Sequence, residues 1–304
     1  MLNDHVSRYV ALHRSLGAKF SEQDRVLRLF TDYAEGLGDR HTRIERIYDW
    51  CGTASSQNTA RTRFDFVRNF CLFANAEDPA HAVPPAGVFG KGRRRRPAPH
   101  IIEPAQVRAI MDAALDLPPK GKISPHTYYH LFGLMAATGL RISEALALQC
   151  DDLTDDGLIV RNGKFGKQRL VPLHPTTREA LGTYLAIRAK LGAIGNDLFV
   201  VTTGRAPHKG VVHIVFVRLA RKLGLRGPTG TSGMRLHDLR HSFAVRSLEA
   251  CATDRQAVAH HMAGLSTYMG HTDTAHTYWY LEATPVLLRD IAARGEQLYL
   301  GEAA

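Results

Sequence analysis

The chain has 304 residues, 44% of them hydrophobic, with 39 Lys plus Arg against 29 Asp plus Glu, a formal net charge of +10. That length fits two ordinary domains with real cores, and the charge favours a polyanionic partner, nucleic acid being the commonest, with a basic but uninvolved surface as the ordinary alternative. The four cysteines (Cys51, Cys71, Cys150, Cys251) form no CxxC pair and no zinc-finger spacing with histidine, so reduced thiols are expected and a disulfide scaffold is excluded. The opening residues lack the apolar core of a signal peptide, and the most apolar run, Val211 to Val217, falls far short of the ~20 residues of a membrane span, so a cytoplasmic protein is expected.

Residues 1 to about 90 read as all-helical. "SEQDRVLRLFTDYAEGLG" suggests a capping box from Ser21 and Asp24, then Val26, Leu27, Leu29, Phe30 and Tyr33 at helical spacing, then terminating glycines. "TARTRFDFVRNFCLFANA" repeats the scheme, with Phe66, Phe70 and Phe73 on one side and Arg61, Arg63 and Arg68 left for solvent or nucleic acid.

A linker with a charge block follows at residues 91–99. Around it, "FGKGRRRRPAPH" carries glycines, prolines and Arg93, Arg94, Arg95 and Arg96, a composition that cannot pack as the interior of an element. It serves either as a solvated tether or as a strap along a phosphate backbone, and the surrounding charge favours the strap. Residues 1–99 hold 16 basic and 11 acidic side chains and the remainder 23 and 18, so each part carries +5.

Beyond the linker, "EPAQVRAIMDAAL" opens a helix with Pro104 near its first position, and "SPHTYYHLFGLMAATG" gives a second, capped by Ser124 and stopped by Gly139. "GLIVRNGKFGKQRLVPL" reads as a β-hairpin. Helices are expected at about 175–191, 208–223, 237–250, 254–263 and 284–295. The fold class is mainly α with a small antiparallel sheet.

Four local patterns carry chemistry. In "TGLRISEALAL" a helix restarts just after Gly139, which sets Arg141 near free backbone amides where a phosphate oxygen could bind; a plain pairing with Glu144 is the ordinary alternative. In "NGKFGK", Lys164 sits at the hairpin turn, with Lys167 as competitor. In "RLHDLRHSFA", His237 and Arg240 share a face and His241 points elsewhere, to pack or cap. In "MGHTDTAHTYWYLEAT", His271 precedes a cluster of Tyr278, Trp279 and Tyr280. The two tyrosines face nearly opposite ways on a helix, and local physics does not choose between them.

The order Arg, Lys, His-x-x-Arg, His, Tyr resembles the tyrosine recombinase (phage integrase) family over about residues 100–295, although "LSTYMGH" and "HTYWYLEATPVLL" differ from the commonest family wording and look closer to its transposon-associated branches. The resemblance implies a catalytic set of Arg141, Lys164, His237, Arg240, His271 and Tyr280, the nucleophile being the ninth residue after His271. It also implies that residues 1–90 form a core-binding domain and residues 100–304 the catalytic domain with a helical tail. The implied reaction is site-specific strand exchange through a covalent 3′-phosphotyrosine, for integration, excision or transposition of a mobile element. Related readings are a chromosome- or plasmid-dimer resolvase and a type IB topoisomerase-like relaxing enzyme. In this reading Arg141, Arg240 and His271 stabilise charge on the phosphate, His237 is the base, and Lys164 protonates the leaving 5′ oxygen. No metal-site spacing and no GxxxxGK[ST] loop occurs, so no metal, ATP or other cofactor is expected. Partners are expected to be double-stranded DNA and further copies of the chain in a tetrameric synapse in the bacterial nucleoid. The tail docks on its own domain or on a neighbour.

Overall fold

The computed structural model describes residues 1–90, 99–161, 168–251 and 255–270, together with Thr277, Tyr280, Glu296 and Leu300. The chain divides into two compact units, Met1–Arg96 and Pro97–Ala304.

The first unit holds four helices: α1 (Leu2–Ser15), α2 (Ser21–Gly36), α3 (Ile44–Gly52) and α4 (Gln57–Glu77). Each buries a stripe at helical spacing: Leu2, Val6 and Tyr9 on α1, Leu27, Phe30 and Ala34 on α2, Ile47 and Trp50 on α3. Fully burying a Val, Leu, Ile or Phe among these stabilises by about 1.5–3 kcal/mol. On α4 the core face is Phe64, Val67, Phe70, Cys71 and Ala74, while Phe66 and Phe73 pack at its margin. The expected stripe was therefore rotated by a fraction of a turn: Phe64 lies in register with Val67, Cys71 and Ala74, and Phe66 does not. The capping box at Ser21 is absent. Phe20 is the N-cap, at φ 48°, with its ring stacked on His13 at 4.2 Å, so aromatic packing and not a hydroxyl fixes the entry to α2. Burial pushes the thiols of Cys51 and Cys71 up, to about 11 and about 12, which leaves both inert.

In the second unit come α5 (Pro104–Leu115), α6 (Ile123–Thr138), the short α7 (Ile142–Ala145), α8 (Pro175–Lys190), α9 (Lys209–Lys222), α10 (Asp238–Glu249) and α11 (Arg255–Tyr268). Helix α6 is buried on every side, as a helix apolar all round must be, and packs against α5, α8 and α10. Ser124 does not cap it. Lys122 holds that position, and the Ser124 hydroxyl bonds Thr202 at 2.8 Å inside the fold. The sheet is antiparallel in the order β1 (Leu153–Thr154), β2 (Gly157–Val160), β3 (Arg169–Val171), with Leu158 opposite Val171 and Val160 opposite Arg169. Helix α11 runs to Tyr268, five residues past its expected end, and the expected helix at 284–295 lies outside the described residues. Among the described residues, no helix is long and apolar enough to cross a membrane.

Candidate active site

The site begins at the C-terminus of α6. Gly139 takes the left-handed conformation (φ 62°) that closes the helix, and a Cβ there would lie 2.5 Å from the Phe243 ring. The turn aims the Gly139 carbonyl at Arg240 and brings Arg141 to the N-cap of α7.

Arg240 is almost fully buried, 1% exposed. It donates from Nη1 to the Gly139 carbonyl at 2.6 Å and from Nη2 to the Met269 carbonyl at 2.8 Å. Arg141 donates to the same Met269 carbonyl at 3.3 Å, to the Gly270 carbonyl at 3.0 Å and to Glu144 at 2.7 Å. Two guanidinium groups far apart in sequence thus converge where α11 ends. Burial, then the charge of Arg141, pulls Arg240 down to about 10, so it remains a cation at neutral pH.

The pairing of Arg141 with Glu144, weighed above as the ordinary reading, is present, and a third arginine joins it. Arg169 on β3 grips both Glu144 oxygens, at 3.1 and 2.8 Å, and donates from Nε to the Tyr268 carbonyl at 2.8 Å. Burial raises the Glu144 carboxyl, but its bonds to Arg169 and to the Arg141 amide outweigh that and hold it at about 2. Three arginines against one carboxylate leave a partly buried positive excess, which is the electrostatic setting for a phosphate.

His237 lies at the N-cap of α10 with its side chain exposed. Desolvation, then the positive neighbours His241 and Arg240, lower it to about 4. Solvent on the open side of the ring screens the first effect, and the neighbours act with the same sign, so the imidazole is neutral at pH 7.

Tyr280 is 3% exposed and packs in an apolar cluster with Ala244, Val245, Leu248, Met262, Leu265 and Met269. Its hydroxyl lies 3.1 Å from Nδ1 of His241. His241 is packed, as expected, but its ring does not point away from His237. Position 241 is a full turn beyond position 237, and that turn carries the His241 ring under the first histidine and onto Tyr280. The rings of His237 and His241 meet edge to face at 4.5 Å.

Arg141, His237, Arg240 and Tyr280 are thus gathered in one unit around the end of α11. Lys164, with its competitor Lys167, and His271, Tyr278 and Trp279 lie outside the described residues, as do Arg93, Arg94, Arg95 and Arg96. In the first unit Arg61, Arg63 and Arg68 are half-buried and engaged. Arg61 bonds Asn58 at 3.1 Å, Arg63 stacks 4.7 Å over the Trp50 ring, and Arg68 bonds the Pro84 carbonyl at 3.1 Å.

The first unit also holds a possible metal group among the described residues: His41, Asp78 and His81, with ligand atoms within 4.8 Å of one another. The buried His81 accepts the Thr42 amide N–H at Nδ1, which puts its own proton on Nε2. Neither nitrogen then has a free lone pair, so the donor set is a poor one for a metal ion.

The description "Phage integrase family" matches residues 100–285. A putative integrase/recombinase, y4rB, of Sinorhizobium fredii is 35% identical over 302 residues, covering 96% of this chain and 96% of its own. The tyrosine recombinase XerD of Bradyrhizobium diazoefficiens is 28% identical, covering 92% and 93%. Among solved structures, the Tn1549 transposon integrase in complex with transposon right end DNA superposes with TM-score 0.63 at 18% identity, covering 99% of each chain. A lambda integrase dimer bound to a COC′ core site also gives TM-score 0.63 at 18% identity, covering 92% of this chain and 76% of that one. The chain belongs to the phage integrase family of tyrosine recombinases.

Proposed function

We propose that this recombinase cleaves and rejoins DNA at specific sites through a covalent 3′-phosphotyrosine on Tyr280, in the service of a mobile element. The observation that carries the reading is the convergence of Arg141 and Arg240 on one backbone carbonyl, in the same unit as a buried tyrosine. Attack on a phosphodiester builds negative charge on the non-bridging oxygens. Guanidinium groups already fixed by backbone carbonyls stabilise that charge without reorganising.

In this mechanism Arg141, Arg240 and His271 hold the scissile phosphate. The Tyr280 oxygen attacks phosphorus as it loses its proton to a histidine base, the role the family resemblance gives His237, and Lys164 protonates the departing 5′ oxygen. The bond energy stays in the phosphotyrosine link, so neither ATP nor a metal ion is required. Resealing by the 5′ hydroxyl of another strand exchanges partners. Residues 1–90 form the core-binding domain, and the arginines of the linker strap the DNA backbone. Strand exchange needs four active sites, and a lambda integrase tetramer bound to a Holliday junction is a structural neighbour, which supports a tetramer of this chain on DNA. Resolution of chromosome or plasmid dimers is the second reading, and a mobile-element role is supported by the wording around Tyr280, which resembles transposon-associated branches. A cytoplasmic protein bound to the nucleoid fits that role.

The test uses nicked suicide duplexes carrying candidate element ends, with and without a chelator. Wild type and Tyr278→Phe should trap a covalent adduct and Tyr280→Phe should not, with no effect of chelator. Adduct from Tyr280→Phe that is lost in Tyr278→Phe assigns the nucleophile to the other tyrosine, and loss on chelation contradicts the metal-free chemistry.

A further inference from the structure

Among the described residues, the histidine that Tyr280 meets is His241 and not His237, to which the family pattern gives the role of base. Nδ1 of His241 lies 3.1 Å from the phenol oxygen, with the ring centroids 5.5 Å apart. His241 is itself buried, 8% exposed. Resting on Tyr280 being the nucleophile, we propose that His241 is a catalytic residue, the immediate acceptor of the Tyr280 proton, and that His237, exposed at the mouth of α10, is left to contact the phosphate.

Three features support this assignment. The first is the tautomer. On the opposite side of the His241 ring, Nε2 faces Oδ1 of Asp238 at 4.0 Å, and Asp238 is fully buried. Its carboxylate is fixed by the Arg235 amide at 2.7 Å and the Arg235 guanidinium at 3.0 Å. An anion on that side favours the proton on Nε2 and leaves the Nδ1 lone pair directed at the phenol. A carboxylate on one side of an imidazole and a hydroxyl on the other is the order of groups by which a histidine takes a proton from a weak nucleophile; here the carboxylate, at 4.0 Å, acts through its charge and not through a hydrogen bond. The second feature is the fate of the phenolate. Arg240 lies close enough to Tyr280 for their charges to interact, so the oxygen left behind is stabilised by the cation that also awaits the phosphate. The third is exclusion of water: Tyr280 and His241 are both buried, so protein groups and not bulk solvent must take the proton.

The step balances. The Tyr280 O–H bond breaks and its proton moves to Nδ1. The freed pair forms the bond to phosphorus, the bond from phosphorus to the 5′ oxygen breaks, and that oxygen is protonated by the general acid. On resealing the proton returns from Nδ1 to the phenol. Among the described residues, the groups facing His241 are Tyr280, Asp238 and His237, with the charges of Arg235 and Arg240 beside them.

The experiment is single-turnover adduct formation by the full chain on a nicked duplex from pH 6 to 10, with Tyr280→Phe, His241→Ala and His241→Asn. Asparagine places a hydrogen-bonding atom near the Nδ1 position but cannot take up the proton. Both His241 variants should bind DNA normally and form adduct about 10²–10⁴-fold more slowly at pH 7. Their rates should rise about tenfold per pH unit and converge on wild type near pH 10, where a free phenol ionises unaided. A wild-type rate at pH 7, or a loss equal at every pH, overturns the proposal. Adduct persisting in Tyr280→Phe instead sinks the nucleophile assignment and is recognised separately. On the wild-type protein, nitrogen NMR of His241 should show the Nε2–H tautomer; a proton resident on Nδ1 contradicts the assignment without any variant.

Discussion

Arg169 and Glu144 are joined by two parallel N–H···O bonds between β3 and α7, and the third edge of the same guanidinium holds the Tyr268 carbonyl at the end of α11. One side chain therefore ties together three segments: the returning strand of the hairpin that carries Lys164, the turn that carries Arg141, and the backbone that leads into His271. Breaking a buried pair from one side leaves an uncompensated charge and costs about 3–5 kcal/mol. Arg169→Ala should lower stability by that order, read from urea unfolding, and should depress adduct formation more than DNA affinity. Arg169→Lys should recover little, because an ammonium cannot reproduce the planar fork.

The same pair sets an acid limit. Glu144 ordinarily titrates at 4.5 and is held at about 2 in the fold. A lowered carboxyl contributes stability that is fully present above 4.5 and is lost as pH falls from 4.5 towards 2. The full span corresponds to about 3 kcal/mol. Unfolding curves at pH 6 and pH 3 should differ by about 2 kcal/mol from this group in wild type, the rest of the span being lost below pH 3, and Glu144→Gln should flatten the difference.

Much of this site was legible in sequence and its wiring was not. The order of Arg141, His237, Arg240 and Tyr280 sits in linear motifs, and helix periodicity located α5, α6, α8, α9 and α10 to within a residue or two. The partners of those residues come from distant segments. Arg169 reaches Glu144 across 25 residues, and Met269 serves Arg240 and Arg141 across 29 and 128. No local period encodes such contacts. The burial of His241 agrees with packing, but its contact with Tyr280 was not legible because a helical wheel does not say what the neighbouring segment brings to that face. The faulty caps at Ser21 and Ser124 have a related cause. Phe20 packing and the Thr202 hydroxyl, both set by tertiary contacts, outweighed a local hydroxyl cap.

Gly139 offers a sharp test of the backbone's part. Its φ of 62° is costly for other residues, and a Cβ would press within 2.5 Å of the Phe243 ring. Gly139→Ala should destabilise by about 1–3 kcal/mol. Because the carbonyl at this position holds Arg240, adduct formation should fall further than the loss of folded protein accounts for. Equal losses in both measurements would show that Arg240 keeps its place without this carbonyl.

His237 should titrate well below its ordinary 6.5, near 4, through desolvation and its cationic neighbours. A lowered histidine favours the neutral fold, so its contribution to stability is intact above 6.5 and declines as pH falls below that value. Ring-proton NMR should give a midpoint below 6.5 in the free protein. Adding duplex DNA should raise it, because a nearby phosphate favours imidazolium. A midpoint at or above 6.5 without DNA contradicts the crowded positive setting described above.

The arginines outside the catalytic unit divide into two groups by expected role. Arg63 stacks on Trp50 and Arg68 bonds the Pro84 carbonyl, so removing either should cost mainly stability. Stacking of an Arg on an aromatic ring contributes about 0.5–1 kcal/mol at an exposed site and about 2 where the pair is desolvated, and Trp50 is buried. The linker quartet Arg93 to Arg96 should behave oppositely. If all four dock on phosphates, changing them to Gln should leave the melting temperature unchanged and reduce the slope of log affinity against log salt by about 3.6, at about 0.9 per phosphate contact. A slope that does not change would make this segment a solvated tether, with the positive charge of the chain acting on DNA from its two folded units alone.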